Sequence, residues 1–427
     1  MFAPFATLWK LKDLRRAIAV VLGILVVFRL AAHIPIPGVN VFELQRFFAS
    51  NQILGLLNLF SGGTMENFSI VAMGVAPYIT ASIIFQLLGM VIPAIEELQK
   101  EGEFGRRKIS QYTRLLTVPL AFLQGFGLIS IIRQSNAQIL PALGTWDMIA
   151  LLATVTAGTM FLVWLGELIS EQHVGNGISL LIFAGIISSL PQAIQQAVLS
   201  FDAAQALQAI GFLVLAVCTV IGVVTLTEAQ RNVPVSYARR VRGMRMVGGL
   251  DTHLPLRVNM AGVIPIIFAI SIILFPPLVA QFFVRAKTAW IANTADSIIQ
   301  LFQNQMLYGV LYFVLVVIFT YFYTAVVFQP QQIAENLQKQ GGFIPGIRPG
   351  RATADYLRFV TNRIISAGAV ALGIIAILPL VMQQLMPGSQ ALVSIAGGTS
   401  LLIIVSVVIE TVKQIQSQLT MREYEGL

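Results

Sequence analysis

Charged side chains are scarce in this sequence. Asp, Glu, Lys and Arg make up 11% of its 427 residues, against about 25% in an ordinary soluble protein. Hydrophobic residues make up 56%, and the mean hydropathy is +0.81. So few charged residues cannot cover the surface of a soluble chain of this length. The composition excludes a soluble enzyme and predicts a polytopic membrane protein.

Cysteine and histidine are nearly absent too. The single cysteine, Cys218, has no partner for an intrachain disulfide. The three histidines are His33, His173 and His253, and none has the spacing of a metal-binding motif. Neither a phosphate-binding P-loop nor a G-x-S-x-G nucleophile motif occurs. We therefore expect no catalytic residues, no bound metal and no cofactor.

Long apolar runs dominate what is present. A helix needs about 20 mostly apolar residues to cross the hydrocarbon core of a bilayer. Ten such runs predict an all-α fold with ten transmembrane spans, numbered one to ten: 17–36, 70–92, 115–132, 148–166, 177–195, 207–227, 258–280, 307–328, 364–386 and 392–411. Span five is the weakest prediction, because Pro191 shortens its apolar stretch.

The basic residues predict the orientation of these spans. With a cytoplasmic N-terminus, only four of the 27 lysines and arginines fall in the outer connections, namely Arg46, Arg133, Arg285 and Lys287. Nearly all the others lie in the cytoplasmic segments, as the positive-inside rule requires. The asymmetry predicts that both termini are cytoplasmic and supports an even number of spans.

Ten spans divide into an N-terminal half, 1–195, and a C-terminal half, 196–427. Because each half has an odd number of spans, the two halves would have opposite orientations, as in inverted-repeat membrane proteins. The C-terminal half has two long cytoplasmic loops, 229–257 and 329–363, both rich in Arg, Gly and Pro with apolar residues interleaved. Loops of this length are often functional, and we expect ordered protrusions that bind a cytoplasmic partner.

The middle of the membrane is predicted to be almost free of charge. Glu167, Glu228 and Glu410 fall at the cytoplasmic ends of their spans, and Arg29 is the one deep charge, to which the sequence assigns no role. Ion-coupled carriers usually have ionisable groups near mid-membrane, so a passive path is favoured. The alternatives are a secondary transporter for a small solute, built on the same five-plus-five plan, and a membrane-embedded enzyme.

Five separate blocks of the chain, in matching order, resemble the SecY family, whose members are the central subunit of the protein-conducting channel. They are EGEFGRRKISQYTR at 101–114, VGNGISLLIFAGI at 174–186, THLPLRVNMAGVIPIIFA at 252–269, QGGFIPGIRPG at 340–350 and GGTSLLIIV at 397–405. The resemblance implies an hourglass pore that passes unfolded secretory polypeptides across a membrane.

The resemblance also explains a half-length apolar segment, 53–60, that is too short to span a bilayer. In the family this segment is a plug helix that folds back into the outer funnel of the pore. A helix of this kind need not contact lipid if protein surrounds it. The predicted plug comprises Ile53, Leu54, Gly55, Leu56, Leu57, Asn58, Leu59, Phe60, Ser61, Gly62 and Gly63, the last three ending the helix.

Two further sets of residues in the spans follow from the resemblance. A ring of aliphatic side chains at the pore waist falls on Ile79, Ile83, Ile186, Ile267 and Ile403. The family also opens sideways between spans two and seven, through a lateral gate that gives signal sequences and transmembrane segments access to membrane lipid. We assign Thr80, Ser82 and Gln86 to that gate because they make span two unusually polar. Ordinary helix-to-helix hydrogen bonding is the alternative.

The partners implied are those of the bacterial family. The two cytoplasmic loops would bind the SecA motor ATPase or the ribosome, with Arg242, Arg245, Arg348 and Arg351 as the docking residues. Arginine suits both partners because it pairs bidentately with carboxylate or phosphate. The small membrane subunits SecE and SecG, signal sequences and nascent polypeptides complete the expected partners. The expected location is the bacterial plasma membrane.

Overall fold

The computed structural model describes most of the chain. The described residues are 12–50, 58, 61–134, 139, 144–199, 206–237, 240–242, 245–247, 251–284, 288–385 and 398–425. Helices dominate these ranges, and a small sheet lies between them in the C-terminal half.

A helix coincides with every predicted span. In the order of spans one to ten, these helices are α1 (Lys12–Ala32), α3 (Ala76–Val91), α5 (Glu103–Gln134), α6 (Thr145–Glu171), α7 (Gly177–Leu199), α8 (Ala206–Glu228), α9 (Ile264–Phe283), α11 (Gln305–Val327), α13 (Arg351–Leu385) and α14 (Gly398–Glu425). The shorter helices are α2 (Val41–Ser50), α4 (Pro93–Lys100), α10 (Ala289–Gln303) and α12 (Pro330–Lys339).

Length and composition agree with a multi-pass membrane protein. Within the described residues, five helices are long and apolar enough to cross a membrane, and the bent pair α3–α4 makes a sixth. Three shorter apolar helices lie in α7, α8 and α9, and α1 accounts for the first predicted span. The count of ten spans is consistent with this arrangement.

Three boundaries differ from the sequence prediction. Span two was expected to start at residue 70, but its helix starts at Ala76, and 70–75 are turns. Its chain then bends by 108° before Pro93. Helix α7 runs through Pro191 and ends at Leu199, four residues beyond the predicted end of span five. In the loop 329–363, the last thirteen residues belong to α13, which begins at Arg351.

The described parts of the two long loops, which are predicted to be cytoplasmic, form one unit. Strands β1 (Gln230–Tyr237) and β4 (Asp251–Arg257) pair antiparallel, and β5 (Gly342–Phe343) of the second loop joins the free edge of β1. Strands β2 (Arg240–Arg242) and β3 (Arg245–Val247) form a separate two-stranded hairpin. A local apolar core holds the larger sheet to α12 and α13: Val233, Val235, Leu256, Leu337, Ile344, Leu357 and Val360. The prediction of ordered protrusions is thus met for the described residues, although the sequence did not reveal the sheet.

Ion pairs join neighbouring helices at their predicted cytoplasmic ends. The Arg114 guanidinium of α5 lies 3.1 Å from a Glu167 carboxylate oxygen of α6, and Lys413 Nζ of α14 lies 2.8 Å from Glu228 of α8. Two of the three acidic residues that the sequence placed at span ends therefore pair with a basic residue there. Outside these ends, apolar side chains fill the space between the helices in one large cluster.

Candidate functional site: an apolar constriction and the segment packed against it

The five isoleucines predicted to form the pore ring lie in one continuous buried apolar cluster. They come from four helices: α3, α7, α9 and α14. Their exposed fractions are 8% for Ile79, 3% for Ile83, 3% for Ile186, 7% for Ile267 and 1% for Ile403. These side chains, far apart in sequence, are therefore all buried from solvent within the same large apolar cluster. Their role as a pore ring stays a prediction.

Two of the ring residues occupy equivalent places in a repeated local structure. Helix α3 starts within GVAPYI at 74–79, and α9 starts within GVIPII at 262–267. Gly74 (φ +57°) and Gly262 (φ +63°) both adopt the left-handed conformation that favours glycine. Each proline occupies the first turn of its helix, where its missing N–H costs no hydrogen bond. The repeat places Ile79 and Ile267 at the same point of their helices.

Residues 61–75, which we call the plug base, connect the predicted plug to α3. The plug base is a series of tight turns whose side chains are mostly inaccessible: Thr64, Phe68, Ser69, Val71 and Ala72 are each 0% exposed. Thr64 Oγ1 donates to the carbonyl oxygens of Ser61 (2.9 Å) and Ala72 (3.1 Å), which closes the segment on itself.

Backbone contacts fix the plug base to three spans. The N–H of Ile36 donates to the Phe68 carbonyl (3.0 Å), and the N–H of Ile70 donates to the Ile34 carbonyl (3.1 Å), just after α1. Gly158 of α6 lies directly against the Ile70 carbonyl, where any side chain would collide with the backbone. Gly62 is packed equally closely against Gly185 of α7.

Four of the eleven predicted plug residues lie within the described ranges: Asn58, Ser61, Gly62 and Gly63. Asn58 and Ser61 have helical backbone, and a turn follows at Gly62, as expected for the end of the helix. Asn58 joins this end to the plug base, because its Oδ1 accepts from the N–H of Glu66 (3.1 Å) and its carbonyl accepts from the N–H of Gly63 (2.9 Å). The other plug residues lie outside the described ones: Ile53, Leu54, Gly55, Leu56, Leu57, Leu59 and Phe60.

A cavity of about 50 Å³ marks where α3, α5 and α9 meet, a place that we call the lateral seam. Ile79 and Thr80 of α3, Gln124 of α5 and Ser271 of α9 are among its lining residues. Gln124 Nε2 donates to Thr80 Oγ1 over 3.4 Å, a long hydrogen bond. The sequence prediction did not include Gln124, although a glutamine in the apolar run of span three was a visible signal.

The other two predicted gate residues, Ser82 and Gln86, lie on α3 but do not line this cavity. Gln86 Nε2 donates to Ser82 Oγ (3.3 Å) four residues earlier on the same helix. Within the described part of the chain, Gln86 Oε1 is buried without a hydrogen-bond partner. The structure thus brings Thr80 to the seam between the helices of spans two and seven, and it pairs Ser82 with Gln86 along α3.

The predicted docking arginines lie on the unit formed by the two long loops. Arg348 and Arg351 are exposed, at the turn after β5 and the start of α13. Thr353 Oγ1 donates to the Arg348 carbonyl (2.9 Å), which fixes that turn to the helix. Arg242 and Arg245 face each other as backbone partners at the closed end of the β2–β3 hairpin.

Burial tunes one acidic residue of the plug base. Desolvation raises the pKa of Glu66 above the usual glutamate range.

Within the described ranges, no three His, Cys, Asp or Glu side chains come together in a way that could hold a metal ion. Chemically, the arrangement offers apolar closure and a few polar contacts.

The architecture defines a class: a multi-pass membrane protein whose helices pack around a large buried apolar cluster, with a turn-rich segment packed against them. The sequence profile of the SecY family matches residues 69–412. The chain belongs to the SecY family.

Similar bacterial proteins match the whole chain. The protein translocase subunit SecY of Streptomyces coelicolor is 44% identical over 442 residues, covering 100% of this chain and 99% of the relative. The protein of the same description from Mycobacterium tuberculosis is 41% identical over 447 residues, with the same coverage.

Solved structures share the fold at lower identity. A structure described as a protein-conducting channel has a TM-score of 0.65 at 16% identity and covers 93% of this chain and 91% of its own. A SecY structure from work on its plug domain has a TM-score of 0.61 at 17% identity, covering 92% and 90%. Sec61 from a canine ribosome–channel complex has a TM-score of 0.61 at 15% identity, covering 93% and 91%.

Proposed function

We propose that this chain is the subunit of a protein-conducting channel that passes unfolded secretory polypeptides across the bacterial plasma membrane. The observation that supports the proposal is that Ile79, Ile83, Ile186, Ile267 and Ile403 are all buried in the same apolar cluster. A narrow apolar constriction excludes water and ions by dewetting. Branched aliphatic side chains also offer a moving polypeptide no fixed hydrogen-bond partner, so chains of any sequence can pass.

Lateral release of transmembrane segments would use the seam between α3 and α9. Its support is the small cavity lined by Thr80, Gln124 and Ser271, where polar side chains replace close apolar packing. The hydrogen bond of Thr80 joins α3 to Gln124 of α5 and not to α9, so it can stay intact while α3 and α9 separate. We assign Thr80 to the gate on this ground, and Ser82 and Gln86 remain predicted gate residues on the same helix.

The two halves of the chain, 1–195 and 196–427, would be inverted repeats around this pore. The matching GVAPYI and GVIPII segments support that plan, because they start the second span of each half with the same glycine conformation and the same proline position. The first segment would lie on the outer side and the second on the cytoplasmic side.

We assign no catalytic step to this chain, so the energy for transport comes from a partner. The sheet β4–β1–β5 brings both long loops together, which supports a single docking surface for SecA or the ribosome near Arg348 and Arg351. Arg242 and Arg245, at the closed end of the β2–β3 hairpin, complete the proposed surface. SecE and SecG are the proposed membrane partners, and both termini are proposed to be cytoplasmic.

The test places a photo-crosslinking residue at Ile83 while a secretory precursor is arrested midway through the channel. The matched control carries the same residue at Ile318 of α11, a side chain that is 53% exposed on the outside of the helix bundle. We expect an adduct with the precursor at position 83 and none at position 318. An engaged precursor that gives no adduct at position 83 contradicts the pore ring and favours the alternative, a carrier for a small solute.

A further inference from the structure

We propose that Arg29 and Gly185 form a latch that holds the plug base in the closed position, with Gly62 as the residue they hold. The inference rests on the proposed channel function. It assigns a positioning role to Arg29, the deep charge whose role could not be predicted from the sequence. It also makes release of Gly62 a step in opening.

Arg29 reaches the plug base from span one. Its Nη1 donates to the Gly62 carbonyl over 3.1 Å, across 33 residues of sequence. A charged side chain within a span is costly unless it pairs with a polar group or reaches water, so such residues usually have a function. A backbone carbonyl that accepts from a cation forms a stronger hydrogen bond than one with a neutral donor. Arg29 thus places a charge-assisted bond at the junction between plug and plug base.

Gly62 is also held by shape. A Cβ on Gly62 would lie 2.7 Å from the Gly185 Cα and 3.4 Å from the Phe28 ring. A Cβ on Gly185 would collide with the Gly62 Cα. Gly62 has φ +76°, a conformation that costs a side-chain-bearing residue energy. Two glycines thus allow the backbone of the plug base to contact helix α7, and Phe28 of α1 lies close to the same point.

The contact lies next to the constriction. Gly185 precedes Ile186, a predicted ring residue that is 3% exposed. Displacing Gly62 from Gly185 therefore loosens packing at the ring itself. Gly63, by contrast, has no atom within 4 Å of the place where a Cβ would lie, so the close glycine contact is confined to Gly62. The latch thus places one of the contacts of the plug base directly beside a predicted ring residue.

Opening has a defined cost in this arrangement. The bond between Arg29 and the Gly62 carbonyl breaks, and the two glycine backbones separate. Water that enters the open channel then solvates the guanidinium group, which offsets part of the lost bond. Closing reverses these steps, so the latch biases a two-state equilibrium towards the closed state.

The first experiment compares Arg29→Met with wild type. The full-length chain is purified with the small subunits that accompany it and reconstituted in planar bilayers without any polypeptide substrate. We expect the ion-conducting open fraction to rise at least about tenfold, because a charge-assisted hydrogen bond contributes that much to the closed state. Arg29→Lys, which keeps a cationic donor, should restore most of the closure. Arg46→Met, at an exposed arginine paired with Glu43 over 3.6 Å, is the matched control and should not conduct.

The second experiment tests the glycine contact independently. Gly185→Ala should also raise substrate-free conductance, whereas Gly23→Ala, in α1 with no atom within 4 Å, should leave it unchanged. Because both latch residues act on Gly62, the double variant Arg29→Met/Gly185→Ala should conduct less than the product of the two single effects predicts. Thermal unfolding of each variant in detergent separates loss of the latch from loss of the fold.

The outcomes distinguish the latch from the function. Substrate-dependent transport in wild type, together with unchanged conductance in folded Arg29→Met and Gly185→Ala, overturns the latch and leaves the channel function standing. Equal conductance in Arg29→Met and Arg29→Lys also overturns it, because the donor would then not matter. A wild-type complex that passes no polypeptide contradicts the proposed function itself.

Discussion

The plug base and the lateral seam are neighbours held together in different ways. In the plug base, backbone hydrogen bonds link 68–70 to the chain after α1, and glycine contacts join it to α6 and α7. At the seam, α3, α5 and α9 meet around a cavity of about 50 Å³ with one long hydrogen bond between side chains of two of them. One region is fixed by its backbone, and the other is joined by side chains alone.

This difference predicts how each region responds to opening. Backbone hydrogen bonds and contacts at glycine distance have few alternative arrangements, so the plug base should move as a unit or remain in place. Apolar side chains around a small cavity can slide and repack at low cost. We therefore expect mutations at the contact of the plug base with α6 to affect folding strongly, whereas mutations in the seam should shift the balance between closed and open, as those in the latch should.

The largest effect is expected at Gly158, where a side chain would collide with the Ile70 carbonyl. Gly158→Ala forces α6 and the plug base apart, which should cost about 2 kcal/mol or more of unfolding free energy. Thermal unfolding in detergent measures the loss. Gly125→Ala is the control, because its Cβ would lie at an ordinary 3.5 Å from Leu152. Equal melting temperatures for the two variants would mean that the backbone of the plug base can shift away from α6 at little cost in free energy.

A smaller effect is expected at Thr80, which accepts the hydrogen bond from Gln124. Thr80→Val leaves the Gln124 amide unpaired in the closed seam, so a precursor with a weak signal sequence should be transported about fivefold faster, equivalent to about 1 kcal/mol. Ser82→Ala is the matched control, since Ser82 accepts from Gln86 on its own helix. If both variants accelerate transport equally, the polarity of α3 matters and the seam contact does not.

The opposite change is expected for Gln124→Leu. Leucine fills the small cavity with apolar atoms and strengthens the closed seam, so transport of the same precursor should slow by about threefold. This factor corresponds to a smaller free energy than the burial of one methylene group contributes, about 0.8 kcal/mol. Thr154→Val replaces an exposed threonine whose hydroxyl bonds within α6 and should have no effect. Faster transport by Gln124→Leu would show that the hydrogen bond, and not the cavity, controls the seam.

The smallest effect is expected from pH through Glu66. Burial raises the pKa of this carboxyl in the folded state, so between the unfolded value of about 4.3 and the raised pKa the folded protein binds more protons. Stability is therefore fully present below that window and falls as the pH rises through it. Glu66→Gln should remove this slope from the melting temperature measured across the acidic range. A slope that persists in the variant would assign it to another group.

The spans were predictable because they depend on local composition. A bilayer crossing needs a long apolar run, and the run is visible wherever it occurs. The errors fall where tertiary contacts override composition. Residues 70–75 are apolar enough for a span, yet they form turns because Ile70 bonds to the chain after α1 and Gly158 packs against it. Pro191 made span five the weakest prediction, yet α7 runs through it to Leu199.

The candidate site was predictable only in part. The ring isoleucines followed from family resemblance, and their meeting in one buried cluster is a property of the fold. Gln124 and Arg29 were visible as polar residues in apolar runs, but the sequence could not say what they contact. The sheet β4–β1–β5 also escaped prediction, because it pairs strands from two loops separated by two spans.

The sequence by itself determined that this is a multi-pass membrane protein of the SecY family, and its basic residues predict the orientation. These properties are sums over local segments, so no knowledge of distant contacts is needed. Only the tertiary structure decided that Arg29 meets Gly62, that Gly62 meets Gly185 and that Thr80 meets Gln124. Each of these contacts depends on the angle and register at which separate helices pack, and no single segment encodes either.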